Sequence, residues 1–387
     1  MKLAYLFSEN ILFHMAGHIR NLFYHPDMIY IFPSNYKVPS VFNYVNNENT
    51  VYYDNEEMLY SIVKDIDILF VTENFKLKYF FPEMHKTNKL EKYEEMLKHI
   101  SIYFIHHGIT GYYKIDKKTC ELWGKTQSPF TIWTDYLLEH KNTFLITCCN
   151  FIQKHVLNLS ENKLQNQIIK VNHIPQFSYN HILYNNGKSE SELEYLHKSV
   201  VIFPVFHNNV CTETIQTIVK NLIGVNKNII IKLKPKVNYK SSSNARQTII
   251  KWQDDLQKSL NDYNGINVTI TSDSNNAQYF HCDKIITING GTSFFEALTY
   301  NNKTFNIQFT ESFPYQKLPG IYNKLLICND INEFKTKLDL IKDKNYFDNG
   351  YEKEKEKLFA LQIGSKIKKE NNNDWDDIVN EIITRKC

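Results

Sequence analysis

The sequence predicts an α/β protein built as two doubly wound domains in tandem, and three observations carry that prediction. Short apolar runs alternate with charged runs of helical spacing, the pattern of strand–helix crossovers in parallel sheets. The alternation stops at a polar stretch near the middle and then starts again. Finally, 387 residues are too many for one ordinary core and about right for two.

Met1–Phe7, Met28–Phe32, Ile66–Thr72 and Ile100–Ile105 read as buried strands, with helices at Glu56–Val63 and Lys89–His99 between them. The polar segment LYNNGKSESELEYLHK, Leu183–Lys198, contains an Asn-Asn-Gly turn signal and reads as a linker. Beyond it come strands at Val200–Val205, Asn228–Leu233, Val268–Thr271, Lys284–Ile288 and Lys303–Ile307. Helices at Thr212–Leu222, Ala245–Leu260 and Ala277–Cys282, and one beginning at Ser293, fall between those strands. The expected division is a domain over 1–185, a linker over 186–198, a second domain over 199–360 and a helical tail over 361–387 that packs back on the first domain. Lys368–Asn373, the one low-complexity patch, reads as a solvated loop. Two such domains open a cleft at the carboxyl ends of their sheets, where doubly wound folds bind ligands.

Composition excludes several classes. A formal charge of +3, with lysines interspersed among Glu and Asp, is too small for a nucleic-acid binder of this size. The seven cysteines (Cys120, Cys148, Cys149, Cys211, Cys282, Cys328 and Cys387) form no C-x-x-C pair and point to a reducing compartment. Ser8, Glu9 and Asn10 break the N-terminal apolar run too early for a signal peptide. No stretch approaches the ~18 apolar residues of a spanning helix. The expectation is a cytoplasmic protein, with peripheral attachment to the inner face of a membrane left open.

Three stretches carry candidate chemistry. In IITINGGTSFFEAL, Ile285–Leu298, a strand breaks on Gly290 and Gly291 and a helix starts at once. Glycines there permit positive φ and a close backbone approach. Free N–H groups at the helix start suit a phosphate. Without a ligand, the same residues read as a tight turn and a capping box, with Ser293 as N-cap and Glu296 reaching back to it. The dinucleotide fingerprint is excluded, because no third glycine follows at the required spacing. The second stretch is the strand at Asn228–Ile231, which runs into Lys232, Lys234 and Lys236, with Pro235 ending it. Period two puts those ammonium groups on one side at a strand's carboxyl end, able to pair with a diphosphate. Alternatively they are a solvated strand end. The third stretch, IYFIHHGITG, ends a strand in His106, His107 and a glycine turn. A neutral imidazole there can accept a proton from an attacking hydroxyl. Adjacent His side chains diverge and lack a carboxylate or Cys at ligand spacing, so no metal site is expected. His155, His207 and His281 read as structural.

With these motifs in place, the chain from about Ile100 to its end resembles two-domain GT-B transferases. It is most similar to the CDP-glycerol glycerophosphotransferase-like group that builds teichoic acids and capsules. IYFIHHGITGYY is similar to that group's strand ending in a His-Gly turn, and TFLITCCNFIQKHV to its next strand and helix start. IIKVNHIPQFSYNHI matches the segment before the linker, and VIFPVFHNN opens the second domain. IIIKLKPKV stands where the group has Lys-x-His-Pro, and CDKIITINGGTSFFEAL where it has Asp-x-x-Ile-Thr-Asp-Tyr-Ser-Ser. Departures are Lys234 for the motif histidine, Asn289–Ser293 for Asp-Tyr-Ser-Ser, and His173–Gln176 without the usual Gly and Arg. Gly-Thr-Ser-x-x-Glu-Ala also resembles the donor loop of capsule and lipopolysaccharide glycosyltransferases, including Kdo transferases.

The resemblance implies a GT-B fold, two Rossmann-like doubly wound domains facing a central cleft, with an acceptor-side first domain and a nucleotide-donor second domain. It implies a nucleotide-activated sugar or alditol of CMP/CDP or UDP type as donor, and a glycan or glycolipid as acceptor. No separate cofactor and no metal are expected. Gly290, Gly291, Thr292 and Ser293 would cradle the diphosphate, Lys232 and Lys234 would offset its charge, and Glu296 would take the ribose. His107, or His106, would act as general base, while Tyr112, Tyr113 and Lys114 could contact the acceptor. Sugar transfer is the favoured reaction. Alditol-phosphate transfer is the alternative, and a nucleotide-sugar epimerase or non-catalytic binding protein comes third.

Overall fold

In the computed structural model, every strand among the described residues lies in one of two all-parallel sheets. The structure describes residues 1–7, 27–34, 49–72, 81, 83, 87, 90–106, 129–171, 184, 187–204, 212–223, 226, 228–233, 244–260, 267–272, 276–288, 292–301, 303–307, 327–328, 330–340, 349–362 and 374–386. The chain divides into two units. One comprises Met1–Ile109, Ile115–Tyr179 and Gln362–Cys387, and the other includes Asn180–Leu361.

The first unit contains β1 (Leu3–Leu6), β2 (Met28–Pro33), β3 (Thr50–Tyr53), β4 (Ile68–Thr72), β5 (Ser101–Ile105), β6 (Thr143–Thr147) and β7 (Ile168–Lys170). Their order in the sheet is β3-β2-β1-β4-β5-β6-β7. The helices are α1 (Glu56–Val63), α2 (Leu90–His99), α3 (Pro129–Glu139) and α4 (Asn150–Leu159). Alternate strand residues sort to the two faces, as period two requires. Leu69, Val71, Ile102, Phe104 and Leu145 pack with Leu59, Val63, Met96, Leu137, Ile152 and Val156 from the helices. Tyr5, Phe7, Phe32, Phe70 and Tyr103 belong to the other parity, all buried, and Phe7 stacks on Phe32 at 4.2 Å.

The second unit begins with α5 (Glu190–His197). It continues through β8 (Ser199–Pro204), α6 (Thr212–Leu222), β9 (Asn228–Lys232), α7 (Asn244–Leu260) and β10 (Asn267–Thr271). A 3-10 turn at Ala277–His281 leads to β11 (Lys284–Ile288), α8 (Thr292–Tyr300), β12 (Thr304–Ile307), β13 (Ile327–Cys328), α9 (Ile331–Leu340) and α10 (Asn349–Gln362). The last helix, α11 (Asp374–Lys386), belongs to the first unit. The second sheet runs β10-β9-β8-β11-β12-β13. Its central strands β8, β9 and β11 are buried on both faces: Val200, Ile202, Ile229, Ile231 and Ile286 pack with α6, α7 and α9, while Val201, Phe203, Ile230 and Ile285 pack with Leu196, Phe280 and Ala297. Both sheets reverse their strand order once, between β1 and β4 and between β8 and β11. In a doubly wound fold such a switch point opens the crevice that receives a ligand.

Several features depart from the sequence reading. The segment read as a linker carries α5, whose N-cap Ser189 and Glu192 form a capping box and whose Leu196 is buried. Three apolar residues among eight are enough once the cap is satisfied. The strands β3, β7 and β13 and the helices α3 and α9 have no counterpart in the sequence reading. β3 is four residues long and only partly buried, so its signal is short. α3 opens with Pro129, which suits the first helical position, but its apolar residues form no clean stripe. The low-complexity patch Lys368–Asn373 lies outside the described residues, and among those residues no helix is long and apolar enough to cross a membrane.

Tyr351 of α10 is fully buried. Its hydroxyl accepts from Thr304 N at 3.1 Å and donates to Thr304 O at 3.0 Å, joining α10 to the start of β12. Tyr351→Phe strands both backbone groups, so denaturant unfolding should show a loss of roughly 1–3 kcal/mol.

Candidate functional site

β11 is buried along its whole length, and only three residues separate its end at Ile288 from the start of α8 at Thr292. Those three, Asn289, Gly290 and Gly291, lie outside the described residues. α8 is apolar on most of its circumference, with Phe294, Phe295, Ala297 and Leu298 all buried, and Phe295 packs on Phe359 of α10 at 5.9 Å. A helix buried in this way presents its N-terminal N–H groups at the carboxyl edge of the sheet.

The capping box expected at Ser293 is corrected. α8 starts at Thr292, so Ser293 stands inside the first turn and is not the N-cap. Glu296 is buried, 5% exposed, and its charge acts on the Tyr300 hydroxyl one turn on. Burial, followed by the Glu296 charge, pushes the Tyr300 hydroxyl well above its ordinary range.

Lys232 closes β9. It is 3% exposed, and its ammonium donates to Leu233 O at 2.8 Å, which rules out a solvated strand end. Lys234, Pro235 and Lys236 lie outside the described residues. The register runs Ile231 to Ile202 to Ile286, so Lys232 and Thr287 sit level on either side of β8, two strand spacings or about 10 Å apart. Lys232 and the start of α8 thus share one edge, at the switch point of the second sheet.

At the opposite end of β11, Asp283 organises a polar knot that the sequence reading passed over. Its backbone N–H donates to Ser199 O at 2.9 Å. Its carboxylate accepts from Lys284, from Lys303 at 2.9 Å and from Asn226 at 2.9 Å. Burial alone would raise this carboxyl, but the hydrogen bonds from Lys284, Lys303 and Asn226 outweigh it and hold the pKa at about 2. The available signal was the cluster Asp283, Lys284 and Lys303 around one short strand.

In the first unit, His106 follows β5 directly. Its backbone N–H donates to Ile146 O at 2.9 Å, and it is 9% exposed. His107, the glycine turn after it, and Tyr112, Tyr113 and Lys114 lie outside the described residues, as do His207 and His173–Gln176. The pairings Ile105 to Ile146 and Thr147 to Lys170 place His106, Thr147 and Lys170 in one row across the ends of three strands. Lys170 donates to Cys148 O and to Val171 O at 2.9 Å, and desolvation lowers its pKa. It is a cation at the carboxyl edge that the sequence signalled only by ending IIK. The neighbouring Cys148 thiol is pushed up to about 12, chiefly by burial, and stays protonated at neutral pH. His155 is partly buried in α4, with its pKa lowered by desolvation. His281 stacks on Tyr184 at 3.9 Å, with Nε2 donating to Tyr184 O at 2.9 Å. Among the described residues, no group of three His, Cys, Asp or Glu side chains could hold a metal ion.

Two all-parallel α/β domains with these strand orders make the fold GT-B, with two Rossmann-like halves. No family model matches the chain, and no curated protein matches its sequence. Among solved structures it is similar to the wall teichoic acid polymerase TagF soaked with CDPG, at 13% identity and a TM-score of 0.57 over 99% of this chain and 88% of that one. It is also similar to Staphylococcus aureus MnaA in its UDP co-structure, at 13% identity and a TM-score of 0.56 over 99% and 96%. Anabaena HepE with UDP-glucose matches at 8% identity and a TM-score of 0.58 over 99% and 100%. At such identities the likeness is one of fold.

Asp283→Asn tests the knot. A depressed folded pKa stabilises above the unfolded value near 3.9, and that contribution fades as pH falls toward about 2. The parent chain should therefore lose stability between about pH 4 and pH 2 more steeply than the Asn variant, as read by thermal unfolding across that range.

Proposed function

We propose that this protein is a metal-independent GT-B glycosyltransferase that moves a sugar from a nucleotide-activated donor to a hydroxyl of a glycan or glycolipid acceptor. One observation carries the reading. At the switch point of the second sheet, a fully buried strand gives way within three residues to a buried helix, with Glu296 enclosed one turn in. Backbone N–H groups of Gly290, Gly291, Thr292 and Ser293 are assigned to the donor diphosphate. Lys232, its ammonium anchored on Leu233 O, and Lys234 offset the charge. Glu296 accepts hydrogen bonds from the ribose hydroxyls.

In the reaction, the acceptor oxygen bonds to the anomeric carbon while the bond from that carbon to the diphosphate oxygen breaks. The electron pair leaves with the nucleotide, and the acceptor proton passes to His107, or to His106. Fixed donors aimed at the departing diphosphate lower the barrier because they need no reorganisation as its charge grows. This reading puts the enzyme in the cytoplasm, at the inner face of a membrane when its acceptor is lipid-linked, in surface-polysaccharide or capsule synthesis. Alditol-phosphate transfer is the second reading, supported by the His-Gly turn of IYFIHHGITG.

Thermal shift against CMP-, CDP-, UDP- and GDP-linked donors tests the cradle. One nucleotide class should stabilise the chain, with or without EDTA, and Gly291→Val should abolish the effect because a side chain blocks the backbone's approach. No shift with any of them would contradict the reading. With the donor known, the product separates the chemistries: a glycosylated acceptor, an alditol-phosphate adduct, or an isomerised sugar. His107→Ala should lower kcat by ~10²–10⁴ while sparing donor affinity, and unchanged turnover would remove His107 from the mechanism.

A further inference from the structure

The donor unit contains a second concavity that shares no residue with the strand-end site. It measures about 310 Å³ and lies between α5 and the 3-10 turn, lined by Lys188, Ser191, Glu192, Tyr195, Gln278 and Tyr279 above Leu196. That volume is at the small end of the range of roughly 300–1,000 Å³ for small-molecule sites. Its walls are tied down. The Tyr195 hydroxyl meets Thr269 Oγ1 at 3.3 Å, and the Tyr279 hydroxyl donates to Thr271 Oγ1 at 3.4 Å. Both threonines belong to the edge strand β10, so each wall of the cavity is pinned to the same strand.

The cation in this cavity is the informative residue. Lys188 is half-buried, and desolvation disfavours its charged form. It makes no hydrogen bond or ion pair with any described residue. Glu192 lies near but is committed elsewhere, because Oε2 accepts from Ser189 N and Ser189 Oγ, both at 2.8 Å, in the α5 capping box. The charge of Glu192 acts on this ammonium, but no hydrogen bond joins the two, and a partly desolvated ammonium with open donors gains free energy from a directly bonded anion. The remaining surface is aromatic and apolar, supplied by Tyr195, Tyr279 and Leu196, with the Ser191 hydroxyl near the capping residues.

From this arrangement we infer that the cavity binds a small organic anion, a carboxylate or phosphate monoester on a flat or short apolar body. The anionic group lies on Lys188, and the body rests against Tyr195 and Tyr279. A neutral apolar molecule would leave the Lys188 donors without a bonded partner, and a bare inorganic anion would leave the apolar walls unfilled.

The test uses the full chain with phenyl phosphate as probe, and inorganic phosphate and benzyl alcohol as controls, read by ligand-observed NMR titration. Phenyl phosphate should bind more tightly than either control. Lys188→Met, which keeps the aliphatic stem, should weaken it roughly tenfold or more, the worth of a charge-assisted hydrogen bond. Ser191→Phe, at an exposed position, fills the cavity mouth and should also weaken it, so the test survives if one variant folds poorly. Gly291→Val should leave phenyl phosphate binding unchanged. Binding that survives Lys188→Met and Ser191→Phe, binding lost only in Gly291→Val, or no binding at the probe's solubility limit would overturn the inference. Loss confined to Gly291→Val would move the phosphate to the strand-end turn and favour the nucleotide reading, while the other two outcomes leave that reading, which rests on other residues, untouched.

Discussion

Parallel pairing is the constraint on which everything else here depends. Because all strands of a sheet run the same way, every strand leaves the core at one edge and every crossover returns to the other. The inner strands of the second sheet are covered by aliphatic and aromatic side chains of α5 to α9 and the 3-10 turn, which leaves no room for a polar ligand against them. Chemistry is left to the carboxyl edge, where backbone groups emerge unpaired by the ladder. Lys232, the start of α8 and Glu296 in the second unit gather on such an edge, as His106, Thr147 and Lys170 do in the first. None of those groupings needed a dedicated scaffold.

The two ends of β11 show how one strand serves stability and chemistry separately. At its amino end, Asp283 overcomes its desolvation through three side-chain donors and stitches β11 to β8 and to the approach of β12. Toward its carboxyl end the described polar contacts are neutral: the Thr287 hydroxyl donates to Asn306 Oδ1 at 3.0 Å and to Phe305 O at 3.2 Å. The helix that follows is fastened instead by apolar contacts of Phe294, Phe295 and Leu298. A strand secured at one end by ion pairs and behind by packing can leave its other terminus free to meet a ligand.

Much of this was legible in the sequence because buried parallel strands are continuous β-branched runs. Lys284–Ile288, Thr212–Leu222 and Glu56–Val63 read from pattern alone coincide with the observed elements. Where the reading failed, the local signal was weak: α5 hid in a polar stretch, and β3 is four partly buried residues. Ser293, read as the N-cap, lies inside the first turn of α8, because Ser at a helix start is equally at home as a cap or within the first turn and the sequence does not separate the two. The row of His106, Thr147 and Lys170 was invisible for a related reason, since register joins residues that are dozens of positions apart. Burial of Lys232 was equally hidden, because an ending strand of lysines looks solvated until the neighbouring strands are known.

The central claim is that the turn from β11 into α8 holds a nucleotide diphosphate. The most direct measurement is a crystal structure of the chain grown with the nucleoside diphosphate that it binds. The account predicts phosphate oxygens within hydrogen-bond distance of the backbone N–H groups of Gly290–Ser293, with the ribose hydroxyls on Glu296. A nucleotide seated elsewhere on the second unit, with that turn empty and Glu296 still enclosed by its own core, would contradict it.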